Sequence, residues 1–169
     1  IGNDWTVPGT VFTPADPKGT ALLIADAGRK TQAARVKALL AKGQRVIAFD
    51  PFFFGESKIK SRDFLHVILM HAVGERSLGV QSGQITALAN WAKNEFDGEV
   101  NLQSIGPRLS VAARLAAVQT DAIATVELEH PMKSLKEVIT GNKGANHLPE
   151  MMCHGLLEQF DLKQIEALR

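Results

Sequence analysis

The residues that could do chemistry fall in a few short stretches. In "NLQSIGPRLSVAARLAA" (101–117) an apolar, strand-like run ends at Gly106 and Pro107 and passes into an Ala-rich helical run. A turn of this kind lifts one side chain above a sheet at a helix N-terminus. There the helix dipole and the free N–H groups stabilise a developing negative charge. A serine or cysteine at its centre would be a nucleophile, but the central residue is Arg108, flanked by Gly106 and Ser110. A guanidinium stays protonated and has no lone pair to attack with. It is also a cation beside the positive end of a helix.

Other residues could substitute. Ser110 is the nearest hydroxyl, and the plainer expectation is that it caps the helix it starts. Cys153-His154 has the residue types of a cysteine hydrolase, but adjacent side chains rarely aim at one another. Cys153 is therefore expected to be a small buried hydrophobe. Glu129 and His130 leave a strand at its carboxyl end, a place suited to a catalytic acid, although the plainer expectation is a solvated loop with a capping histidine. Asp26 ends another strand. Two readings stay open for it: an ion pair with Arg108 across the strand ends, or a cap for the helix that starts near Thr31. His66 and His71 lie on an apolar helix and are expected in its core or at its rim, while His147 sits in a loop. The five histidines show no metal-ligand spacing, so no metal and no cofactor are expected.

The elements that must position these residues alternate. Strands are expected at 10–14, 20–26, 45–50, 99–105 and 122–129. The second and third are continuous apolar runs, as strands covered on both faces require. Helices are expected from Thr31 as N-cap to Gly43, over 82–96, 109–119 and 134–139, and from Leu162, while 64–73 fits a helix or a buried strand, with helix favoured. This order predicts an α/β fold: a mostly parallel sheet flanked by helices, in a single domain over 1–169. Ligand sites in such sheets lie beyond the carboxyl ends of the strands, which selects the loops 26–30, 50–57, 105–110 and 129–133.

Those loops resemble the α/β-hydrolase superfamily, and within it the dienelactone-hydrolase and acetyl-xylan-esterase-like branch. "DAGRK" (26–30) stands where the family has its oxyanion loop, which would involve Asp26, Ala27 and Gly28. "DPFFFGES" (50–57) resembles the D-x-x-G-x-G-x-S loop, with Asp50, Gly55 and Ser57 in place and Phe53 where glycine is usual. "GPRLS" (106–110) stands at the G-x-S-x-G elbow. By this resemblance Arg108 holds the nucleophile position and Leu109 supplies the oxyanion N–H. The segment 155–168 resembles the one leading into the acid-bearing strand, so the acid and histidine positions would lie beyond Arg169. The resemblance implies a carboxylic-ester hydrolase scaffold, inactive as this chain: a pseudoenzyme or a fragment. Its alternative is a binding or accessory domain holding a small anionic or ester ligand at Arg108. A complementary fragment or second chain is expected to cover an open, apolar sheet edge.

Totals exclude other classes. The formal charge is +1 on 169 residues with 45% hydrophobic and 22% charged residues, which argues against nucleic acid or an anionic membrane as partner. Cys153 is the single cysteine, so no disulfide framework exists. The chain starts at Ile1 without a Met, which raises the expectation that it was trimmed from something longer.

Overall fold

A computed structural model describes residues 5–169. Ile1, on which the expectation of trimming rests, lies outside them. Five strands form one sheet in the order β1-β3-β2-β4-β5: β1 (Gly9–Phe12), β2 (Gly19–Ala25), β3 (Gln44–Phe49), β4 (Val100–Ile105) and β5 (Ile123–Glu129). Only β1 runs antiparallel, against β3.

The buried runs explain the layering. Successive side chains of a strand point to opposite faces. Ala21 and Leu23 of β2 and Val46 and Ala48 of β3 therefore pack on Val36 and Leu39 of α1 (Ala33–Ala41). Leu22, Ile24, Ile47 and Phe49 point the other way, into the larger core, which α3 (Ser77–Phe96) and α4 (Pro107–Gln119) share. α2 (Asp63–Ala72) precedes α3, and three short helices follow β5: α5 (Lys136–Thr140), α6 (Leu156–Gln159) and α7 (Leu162–Glu166).

Several expectations need correction. Thr31 does not cap α1. It ends a 3-10 turn (Arg29–Thr31), and its hydroxyl donates back to the Gly28 carbonyl at 2.9 Å. α3 begins at Ser77 rather than 82, because Ser77, Leu78 and Gln81 are buried and extend its inner stripe by more than a turn. α4 begins at Pro107 rather than 109, with proline at a first-turn position that needs no N–H.

The outer edge is not apolar. On one face of β5, Thr125 bonds Asn101 at 2.5 Å, Glu127 accepts from Gln103 at 2.7 Å, and Glu129 pairs with Arg35. Only the opposite face carries the half-buried Val126 and Leu128. The Arg169 guanidinium caps the Ile123 and Ala124 carbonyls at 2.8 and 2.7 Å. Charged side chains and capped carbonyls are how an edge strand avoids pairing with another chain.

Candidate functional site

The site is built at the carboxyl ends of β2, β3 and β4. Between β4 and α4 the chain turns at Gly106, whose φ of 107° an L side chain rarely adopts. A Cβ there would also stand 2.5 Å from the Asp26 carboxyl carbon, so only glycine lets Asp26 approach. The left-handed residue of the turn is therefore Gly106, and Arg108 lies in the first turn of α4 with a helical backbone.

Asp26 follows β2 and faces that first turn. Its Oδ2 accepts the Arg108 N–H at 2.9 Å and its Oδ1 accepts the Leu109 N–H at 2.8 Å. These are two of the donors that every helix N-terminus leaves unpaired, and a carboxylate also suits the dipole. Burial nevertheless pushes the Asp26 carboxyl above its ordinary value. The two N–H bonds and the nearby Arg108 charge offset only part of that, and Glu150 adds to the rise.

Neither reading left open for Asp26 holds: it takes the backbone donors of α4 rather than those of the helix near Thr31, and no ion pair joins it to the Arg108 guanidinium. The Arg108 side chain turns away to Glu150 instead, with Nε on Oε1 at 2.5 Å and Nη2 on Oε2 at 2.7 Å. The guanidinium carbon sits 4.6 Å from the Phe54 ring centre. Glu150 is fully buried. Burial alone would make Arg108 easier to deprotonate, but the Glu150 bond and charge outweigh it and hold the guanidinium above its ordinary range. A forked, two-bond pair of this kind is the strong form of an arginine–carboxylate contact.

Ser110 is buried and is not a cap. Its hydroxyl donates to the Pro107 carbonyl at 2.7 Å and accepts from the Met132 N–H at 3.1 Å and Arg114 Nη1 at 3.2 Å. Arg114 also reaches Glu166 at 2.5 Å, tying α7 to α4.

The neighbouring loop 50–57 closes on the same mouth. Asp50 is buried and accepts the Arg29 and Glu56 N–H groups at 2.7 and 3.1 Å, while Ser57 donates to the Asp50 carbonyl at 2.9 Å. Gly55 has φ 51°, and a Cβ on it would meet the Asp50 carboxylate at 2.2 Å. Gly28 lies against Gly55, and Ala27 is exposed beside it. Phe53, where the resembled motif has glycine, takes φ 71°. Its ring and those of Phe52 and Phe54 are buried, which offsets the strain of a left-handed backbone.

The remaining candidates do not bring their side chains to this mouth, although the Glu129 carbonyl accepts the Gly106 N–H at 2.9 Å. His130 is 83% exposed and 3.9 Å from Glu129, which is taken by Arg35. Cys153 lines an apolar cavity of about 180 Å³ with Leu78, Leu135, Val138 and Met151. Burial pushes its thiol up, with Arg76 a smaller opposing influence. His154 turns its ring to His71, 5.8 Å away, not to the thiol. Burial, then Arg76 and His154, make His71 harder to protonate. His66 packs its ring by Phe52 and Phe53, and His147 is exposed. Among the described residues no three His, Cys, Asp or Glu side chains converge as a metal site. No helix there is long and apolar enough to cross a membrane.

Sequence reasoning missed Glu150 and Met132. Glu150 is 42 positions from Arg108 and no spacing links them. The available signal was the need of a half-buried arginine for an acid.

No family model matches the chain, and no curated protein matches it. Solved structures do. A thermostable carboxyl esterase from Bacillus coagulans, in complex with glycerol, superposes with a TM-score of 0.55 at 16% identity, over 86% of this chain and 51% of that one. A probable hydrolytic enzyme from Pseudomonas aeruginosa gives 0.56 at 16% identity, over 79% and 39%. A dienelactone hydrolase from Anabaena variabilis gives 0.53 at 14% identity, over 75% and 58%. The chain spans roughly half the length of these structures. The chain has the α/β-hydrolase fold.

Proposed function

We propose that this chain is an α/β-hydrolase-fold domain related to the carboxylic-ester hydrolases that, as it stands, does not turn over esters. One observation carries the reading. The N–H of Leu109, which the resemblance makes an oxyanion donor, is already bonded to the Asp26 carboxylate. An oxyanion would have to displace a carboxylate to reach it, and catalysis of acyl transfer depends on those donors being free. Arg108, which the resemblance puts at the nucleophile position, offers nothing to attack with. None of the histidines bonds to Ser110, whose hydroxyl is used by Pro107, Met132 and Arg114.

The test is turnover of 4-nitrophenyl acetate by the natural chain, by Arg108→Ser, and by Arg108→Ser combined with Asp26→Ala. No turnover above the buffer rate is expected of the natural chain or of Arg108→Ser, in which the donors stay filled. Turnover by the natural chain overturns the reading. Turnover by Arg108→Ser alone overturns the part of it that rests on Asp26.

A further inference from the structure

We propose that the outward face of α2 is a self-association surface, on which a second copy of this chain packs its own α2 antiparallel. α2 turns Val67 and Met70 into the core. Its opposite side carries Leu65, Ile68 and Leu69, with Val73 just past its end, at 41, 57, 66 and 78% exposure. Ala72 is exposed among them. At 3.6 residues per turn these positions share one stripe with no charge on it. Contiguous exposed aliphatics of this kind mark a contact surface.

Charge identifies the occupant. Arg62 stands at the N-terminal end of the stripe and Glu75 beyond its C-terminal end. Both are exposed, and neither joins an ion pair among the described residues. They are equally far along the chain from the point between Ile68 and Leu69, and so are Leu65 and Ala72. An antiparallel pair centred there sets Ile68 against Leu69 of the second copy. It also places the large Leu65 over the small Ala72 and Arg62 beside Glu75, each contact occurring twice. The two helix dipoles oppose as well. A bilayer, the competing occupant, would attract Arg62 and the exposed Lys58 and Lys60 but repel Glu75. One ten-residue helix offers less than the ~800 Å² per partner of a standard interface, so the association is weak and reversible.

Sedimentation equilibrium over a wide concentration range tests this. A monomer–dimer equilibrium is expected for the natural chain. Leu69→Glu, at an exposed position that leaves the fold intact by circular dichroism, should weaken it at least about tenfold. Arg62→Glu should weaken it, and Arg62→Glu with Glu75→Arg should restore it, which a merely structural role would not do. A chain that stays monomeric throughout overturns the proposal, as does a double variant that fails to recover. Binding to phosphatidylserine vesicles that Leu69→Glu abolishes, with no dimer in solution, overturns it in favour of a membrane surface.

Discussion

Asp26 Oδ1 lies 2.8 Å from Leu109 N and accepts its N–H, while the other oxygen of the same carboxylate takes the N–H of Arg108. One side chain from the end of β2 thereby closes the N-terminus of α4. Asp26→Ala leaves both donors open. It should destabilise the fold by about 1 kcal/mol at neutral pH, as the loss of a helix cap does. Urea unfolding of the two chains measures this.

The same carboxylate sets a pH dependence. Its folded value is raised above the ordinary 3.8, mainly by burial. Below 3.8 it is protonated in both the folded and unfolded states. Between 3.8 and the raised value the folded state holds more protons, so stability falls as pH rises through that window. Above the raised value the group is charged in both states and the dependence ends. The natural chain should therefore lose stability relative to Asp26→Ala as pH rises through the window. Unfolding free energies of both chains from about pH 3 to 7 would show it. A difference that is flat or opposite in slope would count against it.

Gly106 is required twice, by its φ of 107° and by the approach of Asp26. Gly106→Ala should cost about 2–4 kcal/mol. Part of that cost is the collision with Asp26, so the loss should shrink in an Asp26→Ala background. Additive losses in that double-mutant cycle would show that the Asp26 carboxyl group contributes nothing to the collision.

Arg108 and Glu150 form a forked pair in which the carboxylate is fully buried. Removing either partner leaves an uncompensated charge. Glu150→Ala should therefore cost about 3 kcal/mol, lowering the melting temperature of a chain this size by roughly 6–12 °C. Replacing both residues with methionine should cost less than either single truncation, because no charge is then stranded. Thermal unfolding of the three variants decides this.

The centre of the sheet was legible in the sequence because β2 and β3 are covered on both faces. "TALLIAD" (20–26) and "RVIAFD" (45–50) read as strands, and β2 and β3 each lie one residue earlier, at Gly19–Ala25 and Gln44–Phe49. The apolar stretch 64–73 read as a helix or a buried strand, with helix favoured, and it is α2 (Asp63–Ala72). Of the four loops selected at the carboxyl ends of the strands, 26–30, 50–57 and 105–110 meet at the mouth, and 129–133 reaches α4 through the Met132 N–H on the Ser110 hydroxyl. What could not be read was the direction of side chains beyond the strands. Asp26 and Arg108 have opposite charges on neighbouring strand ends, so an ion pair was one of the two readings left open, beside a cap for the helix near Thr31. The helix N-terminus claims Asp26 first, because its N–H groups need an acceptor and the left-handed turn at Gly106 points them at β2. Arg108 then needs another acid, and Glu150 comes from a loop with no periodic signal. The apolar edge expected of β5 failed for a similar reason. The alternation of Thr125, Glu127 and Glu129 with Val126 and Leu128 is that of a strand with one wet face.

The occupied donors can be observed directly by following the Arg108 and Leu109 amide protons and the Asp26 carboxyl carbon by NMR as pH is lowered. The expected result is a shared midpoint above 3.8, with both amides moving as the carboxylate is protonated and losing that response in Asp26→Ala. Amide shifts that do not follow the Asp26 titration, or that survive unchanged in Asp26→Ala, would contradict the closure of α4 by Asp26.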